Sequence, residues 1–153
     1  MLETQSSVEA KTQEGSQVER GRPDGRLVVG FLSPDFGDHP TSHLMRSVWV
    51  LLQRRGRLKG VCFARSADDG SEQRAYLQAT CEEWVDVSSA SWTDVAAAVA
   101  AAGVEVLVDL NGHCGRPQME ALSLRGAPLT ITYMGHPGTS GAAFVDYAIA
   151  DRV

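Results

Sequence analysis

Two short runs, Val104-Glu-Val-Leu-Val108 and Leu129-Thr-Ile-Thr-Tyr133, constrain this chain more than anything else in it. Both are rich in β-branched residues and nearly continuous in apolar character. A strand with one face in water alternates apolar with polar residues, whereas a strand covered on both faces need not. After Gly25 such runs alternate with segments of helical spacing, which is the pattern of βα units feeding a parallel sheet. The candidate strands are 27–33, 58–64, 84–87, 104–110, 128–135 and 144–150. The expected fold class is therefore α/β, a Rossmann-like parallel sheet with flanking helices.

The helices are placed by their punctuation. Leu44, Val48, Leu51 and Leu52 recur at helical spacing, with Thr41 or Ser42 as N-cap and Gly56 as stop, so the spacing predicts a helix over 42–55. A second is expected over 72–81. A third, over 92–102, opens on Ser91-Trp-Thr-Asp94, which has the form of a capping box, and closes at Gly103. A fourth is expected over 117–125. Right-handed crossovers favour the strand order 3-2-1-4-5, which makes the first and fourth strands neighbours where the order reverses. Ligands of such sheets bind in the crevice at the carboxyl ends of the strands, so the loops at that rim are where chemistry is sought.

Three loops reach it. Asp35-Phe-Gly-Asp-His39 follows the first strand and precedes a helix. The positive end of that helix disfavours imidazolium and favours a neutral ring able to accept a proton, which suits His39 to general base work. The plainer alternative is a loop His that helps cap the helix. His43, one turn inside the helix, fits packing or hydrogen bonding better than chemistry. In the second loop, Asp109 ends a buried strand four residues before His113. It either orients that His or relays a proton, or it caps its own turn through backbone N–H groups, as Asp does routinely. The third loop, Gly135-His-Pro-Gly-Thr-Ser-Gly141, is glycine-rich with two hydroxyls and fits close approach to a sugar or phosphate. It matches neither a dinucleotide fingerprint nor a P-loop, and no Cys and His set has metal-site spacing.

Composition narrows the setting. Residues 1–26 are polar, with almost no large apolar side chain, and read as a disordered arm or linker ahead of one domain over 27–153. A net charge of -5 argues against a nucleic-acid partner, which needs a basic face. No apolar stretch suits a signal peptide or a membrane span. Cys62, Cys81 and Cys114 form no CxxC pair and read as free thiols of a reducing compartment.

Together, the strings Asp35-Phe-Gly-Asp-His-Pro-Thr-Ser-His-Leu-Met45, Leu107-Val-Asp-Leu-Asn-Gly-His113, Leu124-Arg-Gly-Ala-Pro128 and Gly135-His-Pro-Gly-Thr-Ser-Gly141, with Val145-Asp-Tyr147, closely resemble the catalytic region of the O-linked N-acetylglucosamine transferases. Less closely they resemble the SPINDLY-type O-fucosyltransferases. The resemblance implies a GT-B glycosyltransferase, with two Rossmann-like lobes around a cleft and inverting transfer to Ser and Thr hydroxyls of cytoplasmic or nuclear proteins. It implies UDP-N-acetylglucosamine as donor substrate, and neither cofactor nor metal. This chain is similar to the N-terminal catalytic lobe, so a C-terminal lobe and tetratricopeptide repeats are expected in the complete protein, and the lobe alone is expected to be inactive. By the same resemblance His39 matches the family His proposed as base, and Asp109 and His113 are candidates for proton relay or positioning. Pro40, Thr41, His136, Pro137, Gly138 and Thr139 would line the sugar and acceptor side. Two alternatives stay open: transfer of fucose from GDP-fucose, and a non-catalytic Rossmann-like binding module.

Overall fold

The computed structural model describes residues 25–115, 117–135, 138 and 140–151, so the expected arm lies almost wholly outside the described residues. Six strands, β1 (Leu27–Ser33), β2 (Leu58–Ala64), β3 (Glu83–Asp86), β4 (Val106–Asp109), β5 (Leu129–Tyr133) and β6 (Tyr147–Ile149), form one sheet in the order β3-β2-β1-β4-β5-β6. Every pairing is parallel. This is the expected order with β6 added outside β5. Four helices connect the strands: α1 (Pro40–Arg55), α2 (Glu72–Thr80), α3 (Trp92–Ala101) and α4 (Met119–Ser123).

The sheet is covered on both sides. Along β1, Val29 and Phe31 belong to a core cluster with Met45 and Trp49 of α1 and Leu77 of α2. Val28 and Leu32, alternating with them, belong to a second cluster with Val95 and Val99 of α3 and Leu122 of α4. Double coverage is the physical reason that β1 lacks polar alternation. Trp49 is the largest of the fully buried side chains, its ring centroid 4.4 Å from Phe31 and 6.2 Å from Phe36. Phe36 belongs to the loop after β1, so the core grips the rim loop directly. No helix among the described residues is long and apolar enough to cross a membrane.

The fourth and fifth strands are shorter than the expected 104–110 and 128–135, and four further details depart from expectation. The first helix begins at Pro40, with His39 and neither Thr41 nor Ser42 as its N-cap. Proline fixes φ near its helical value and needs no N–H at the first position, while it pushes the residue before it into the extended region, where His39 sits at φ -141 and ψ 147. The fourth helix shrinks from 117–125 to five residues, because Gln118 gives it no side-chain cap and Arg125 turns left-handed at φ 50. The sixth strand keeps only Tyr147–Ile149 of 144–150. Ahead of it, the Asp146 N–H still donates to the Thr130 carbonyl at 2.9 Å, while its carboxylate accepts the Thr130 N–H at 2.8 Å and pairs with Arg125 at 3.2 Å, so a side-chain bond takes one of the ladder's places.

The fourth departure concerns sulfur. Cys62 of β2 and Cys81, the C-cap of α2, form a disulfide with Cα atoms 6.4 Å apart. Their separation of 19 residues carries no motif, and only the β2-α2 packing brings them together. The free-thiol reading holds for Cys114 alone, which is exposed.

Candidate active site

The loop after β1 is pinned from below and open above. Phe36 is fully buried, and its carbonyl accepts a bond from the Arg74 guanidinium at 2.9 Å. Ser42, also fully buried, donates to the Asp35 carbonyl at 2.5 Å and accepts from the Gly37 N–H at 3.3 Å. With those anchors turned inward, Asp38 and His39 are exposed on the rim. His39 Nδ1 accepts the Thr41 N–H at 3.3 Å and stands 3.6 Å from Asp35 Oδ2, leaving Nε2 without a partner among the described residues. His43 instead pairs with Asp38 at 2.8 Å, a surface contact of the helix, as its position suggested.

Ser33 and Asn111 join the first rim loop to the second. Ser33 ends β1 and Asn111 follows β4, the adjacent strand, so the reversal of strand order sets them side by side. Ser33 Oγ donates to Asn111 Oδ1 at 2.8 Å, and Asn111 Nδ2 donates to Asp35 Oδ2 at 2.5 Å. Sequence reasoning passed over both residues. The available signal was a small polar residue at the end of each of two strands expected to be neighbours.

Asp109 is fully buried at the end of β4, and its carboxylate accepts the N–H of Asn111 at 3.1 Å and of Gly112 at 2.8 Å. That is the turn-capping geometry, the plainer of the two readings. Burial pushes its pKa up to about 6, and the two amides only partly offset the desolvation. A raised folded-state value means that the native protein holds this proton more tightly than the unfolded chain. Stability from this group is full below pH 4 or so and is lost as the pH rises through about 6. Unfolding free energy should therefore fall by on the order of 3 kcal/mol across that window relative to Asp109→Asn. Urea titrations of both proteins at several pH values check this, and parallel pH profiles would refute it.

The second loop meets the third through His113, whose Nε2 lies 2.8 Å from the Ser140 carbonyl, and through Gly135, whose backbone packs against that of Asn111. A cleft of about 670 Å³ opens beside this junction, lined among others by Thr132, Tyr133, Gly135, Gly138, Ser140 and Asp151. The structure thus gathers His39, Pro40, Asp109, His113 and Gly138 at one rim, with His39, Pro40, His113 and Gly138 exposed. Thr41 is in the same turn but buried, at 7 % exposure, with its N–H turned to His39. His136, Pro137 and Thr139 lie outside the described residues. Among the described residues no cluster of three His, Cys, Asp or Glu side chains could hold a metal ion.

Known proteins resemble this chain in sequence and fold. A family model described as Glycosyl transferase family 41 matches residues 5–153. The chain is 40% identical over 129 residues to a UDP-N-acetylglucosamine--peptide N-acetylglucosaminyltransferase of Caenorhabditis elegans, covering 84% of this chain and 11% of that protein. It is 37% identical over 138 residues to the probable UDP-N-acetylglucosamine--peptide N-acetylglucosaminyltransferase SEC of Arabidopsis thaliana, covering 90% of this chain and 14% of that protein. Among solved structures, a mutant O-GlcNAc transferase of Thermobaculum terrenum superposes with a TM-score of 0.78 at 25% identity, over 86% of this chain and 25% of that one. The chain thus spans a quarter or less of each of these relatives. With nearly its whole length matched by the family model, the chain belongs to glycosyl transferase family 41.

Proposed function

We propose that this chain forms the N-terminal lobe of an inverting protein O-glycosyltransferase that moves N-acetylglucosamine from UDP-N-acetylglucosamine to Ser and Thr hydroxyls. The observation that carries the reading is His39, exposed at the switch-point rim with one ring nitrogen engaged and the other free among the described residues. In the reaction a Ser or Thr oxygen bonds to the anomeric carbon and the bond from that carbon to the diphosphate breaks. The departing UDP takes the bonding electrons, and the hydroxyl proton goes to His39 Nε2.

Asp109 serves by holding the 111–113 turn in place, and His113 by fixing the third loop through Ser140. Pro40, Gly138 and, outside the described residues, His136, Pro137 and Thr139 would face sugar and acceptor. No cofactor or metal takes part in this scheme. Charge on the departing UDP is met by donors of a second, C-terminal lobe, and tetratricopeptide repeats are the proposed source of acceptor selection. The acceptors would be cytoplasmic or nuclear proteins.

The test is transfer itself. The protein carrying both lobes is incubated with an acceptor peptide and either UDP-N-acetylglucosamine or GDP-fucose, and the peptide is weighed. Addition of the mass of N-acetylglucosamine supports the reading. Addition of fucose assigns the other donor, and an unmodified peptide with both donors leaves a binding module.

A further inference from the structure

His39 Nδ1 faces two neighbours that ask for opposite protonation. The Thr41 N–H, 3.3 Å away, needs a bare nitrogen, which puts the ring proton on Nε2. A ring in that state has no lone pair at Nε2 and cannot act as base there. The Asp35 carboxylate, with Oδ2 3.6 Å from the same atom, favours a proton on Nδ1, which frees the Nε2 lone pair. The ring is therefore poised between a capping tautomer and a basic one.

Asp35 is not a passing surface charge. Its Oδ2 accepts from Asn111 Nδ2 at 2.5 Å, Asn111 is held in turn by Ser33, and the Asp35 N–H is tied to Ser33 Oγ at 3.0 Å. These bonds fix the carboxylate from two strand ends and leave it only a quarter exposed. We infer that Asp35 is a positioning residue which holds His39 in the Nδ1–H tautomer, with the Ser33–Asn111 pair aiming the carboxylate. The inference rests on the assignment of His39 as proton acceptor in the proposed reaction.

It adds a consequence for the proton transfer. When Nε2 takes the hydroxyl proton, Nδ1 must also be protonated, so the cap bond to Thr41 is given up and the contact with Asp35 becomes a charge-assisted bond. The positive end of α1 opposes that imidazolium and Asp35 favours it. Other charged groups near the ring are already engaged. Asp38 pairs with His43, Asp69 accepts the Asp38 N–H at 2.8 Å, Arg74 bonds the Phe36 carbonyl, and Asp109 and His113 serve the neighbouring loop. Asp35 is the carboxylate in contact with His39.

Long-range nitrogen–proton NMR of the imidazoles in the 153-residue chain tests this without any sugar nucleotide. In the neutral ring, wild-type His39 should show a substantial Nδ1–H population. Asp35→Asn should shift the neutral ring roughly tenfold toward Nε2–H, since the carboxylate 3.6 Å from Nδ1 that favours a proton there is lost. Asp35→Glu should largely restore the wild-type tautomer, and Asp38→Asn should change the tautomer of His43 while leaving that of His39 in place. A wild-type ring wholly in the Nε2–H form would overturn the inference, and this arm needs no variant to fold. An Asp35→Asn protein with an unchanged tautomer would overturn it as well.

In the enzyme with both lobes, Asp35→Asn should lower kcat by roughly ten- to a hundredfold with KM little changed, and Asp35→Glu should recover most of that loss. If turnover proves indifferent to His39 while the NMR shifts appear, the assignment of the base fails and the tautomer selection by Asp35 stands.

Discussion

Replacing His39 by asparagine should lower turnover by roughly two to four orders of magnitude and leave the melting temperature near that of the parent. The choice of asparagine decides between the two things that His39 does. Its Nδ1 caps α1 through the Thr41 N–H, and its Nε2 is the nitrogen that the proposed reaction offers to the acceptor hydroxyl. Alanine would remove both and cost about 1 kcal/mol of helix stability, so a loss of activity could be blamed on the rim loop. Asparagine is among the best N-caps, because its side-chain oxygen accepts the same kind of bond, yet it cannot take up a proton at neutral pH. A cap-competent, base-free variant that loses two to four decades of kcat has lost about 3–5 kcal/mol of barrier reduction, which a cap alone does not supply. Steady-state kinetics on the enzyme with both lobes, beside a thermal melt, make the comparison. Near-normal turnover would return His39 to a capping role.

How far such a site could be read in advance depended on which forces set each part. Strand order and helix placement were legible because burial on both faces writes itself into Val104–Val108 and because Gly56 and the Ser91–Asp94 box mark helix ends by local chemistry. The start of α1 was misplaced by two residues, since hydroxyl caps were weighed above the pre-organised φ of Pro40. The disulfide could not be read at all. Cys62 and Cys81 meet through the packing of a strand on a helix end, and sequence spacing carries no trace of it. The rim followed the same division. His39, His113 and Asp109 stood out as titratable residues in loops, whereas Ser33 and Asn111 matter only as neighbours across adjacent strands. Asp109 was visible as a residue, but whether its oxygens faced the cleft or the turn amides was a question of burial.

Gly135→Ala should be the most disruptive single-methyl addition on this rim, lowering stability by about 2–5 kcal/mol. Gly135 sits at φ +68, and a Cβ there would stand 2.7 Å from Asn111 Cα and closer still to its carbonyl. The left-handed backbone alone costs an alanine about 1–2 kcal/mol. The remainder depends on whether Asn111 can retreat, and its bonds say that it cannot do so freely. The Asn111 carbonyl accepts the Cys114 N–H at 2.9 Å, its own N–H is held by Asp109, and its side chain bridges Ser33 and Asp35. Displacing it would loosen the turn and the carboxylate beside His39 together, so turnover should fall along with stability. Gly141→Ala separates the two contributions, because Gly141 has nearly the same φ, +62, with nothing among the described residues within 4 Å of the added carbon. That variant should lose only the 1–2 kcal/mol of backbone strain. Urea midpoints at unchanged m-value measure both, and a Gly135→Ala protein no less stable than Gly141→Ala would show that the second and third rim loops are not locked against each other.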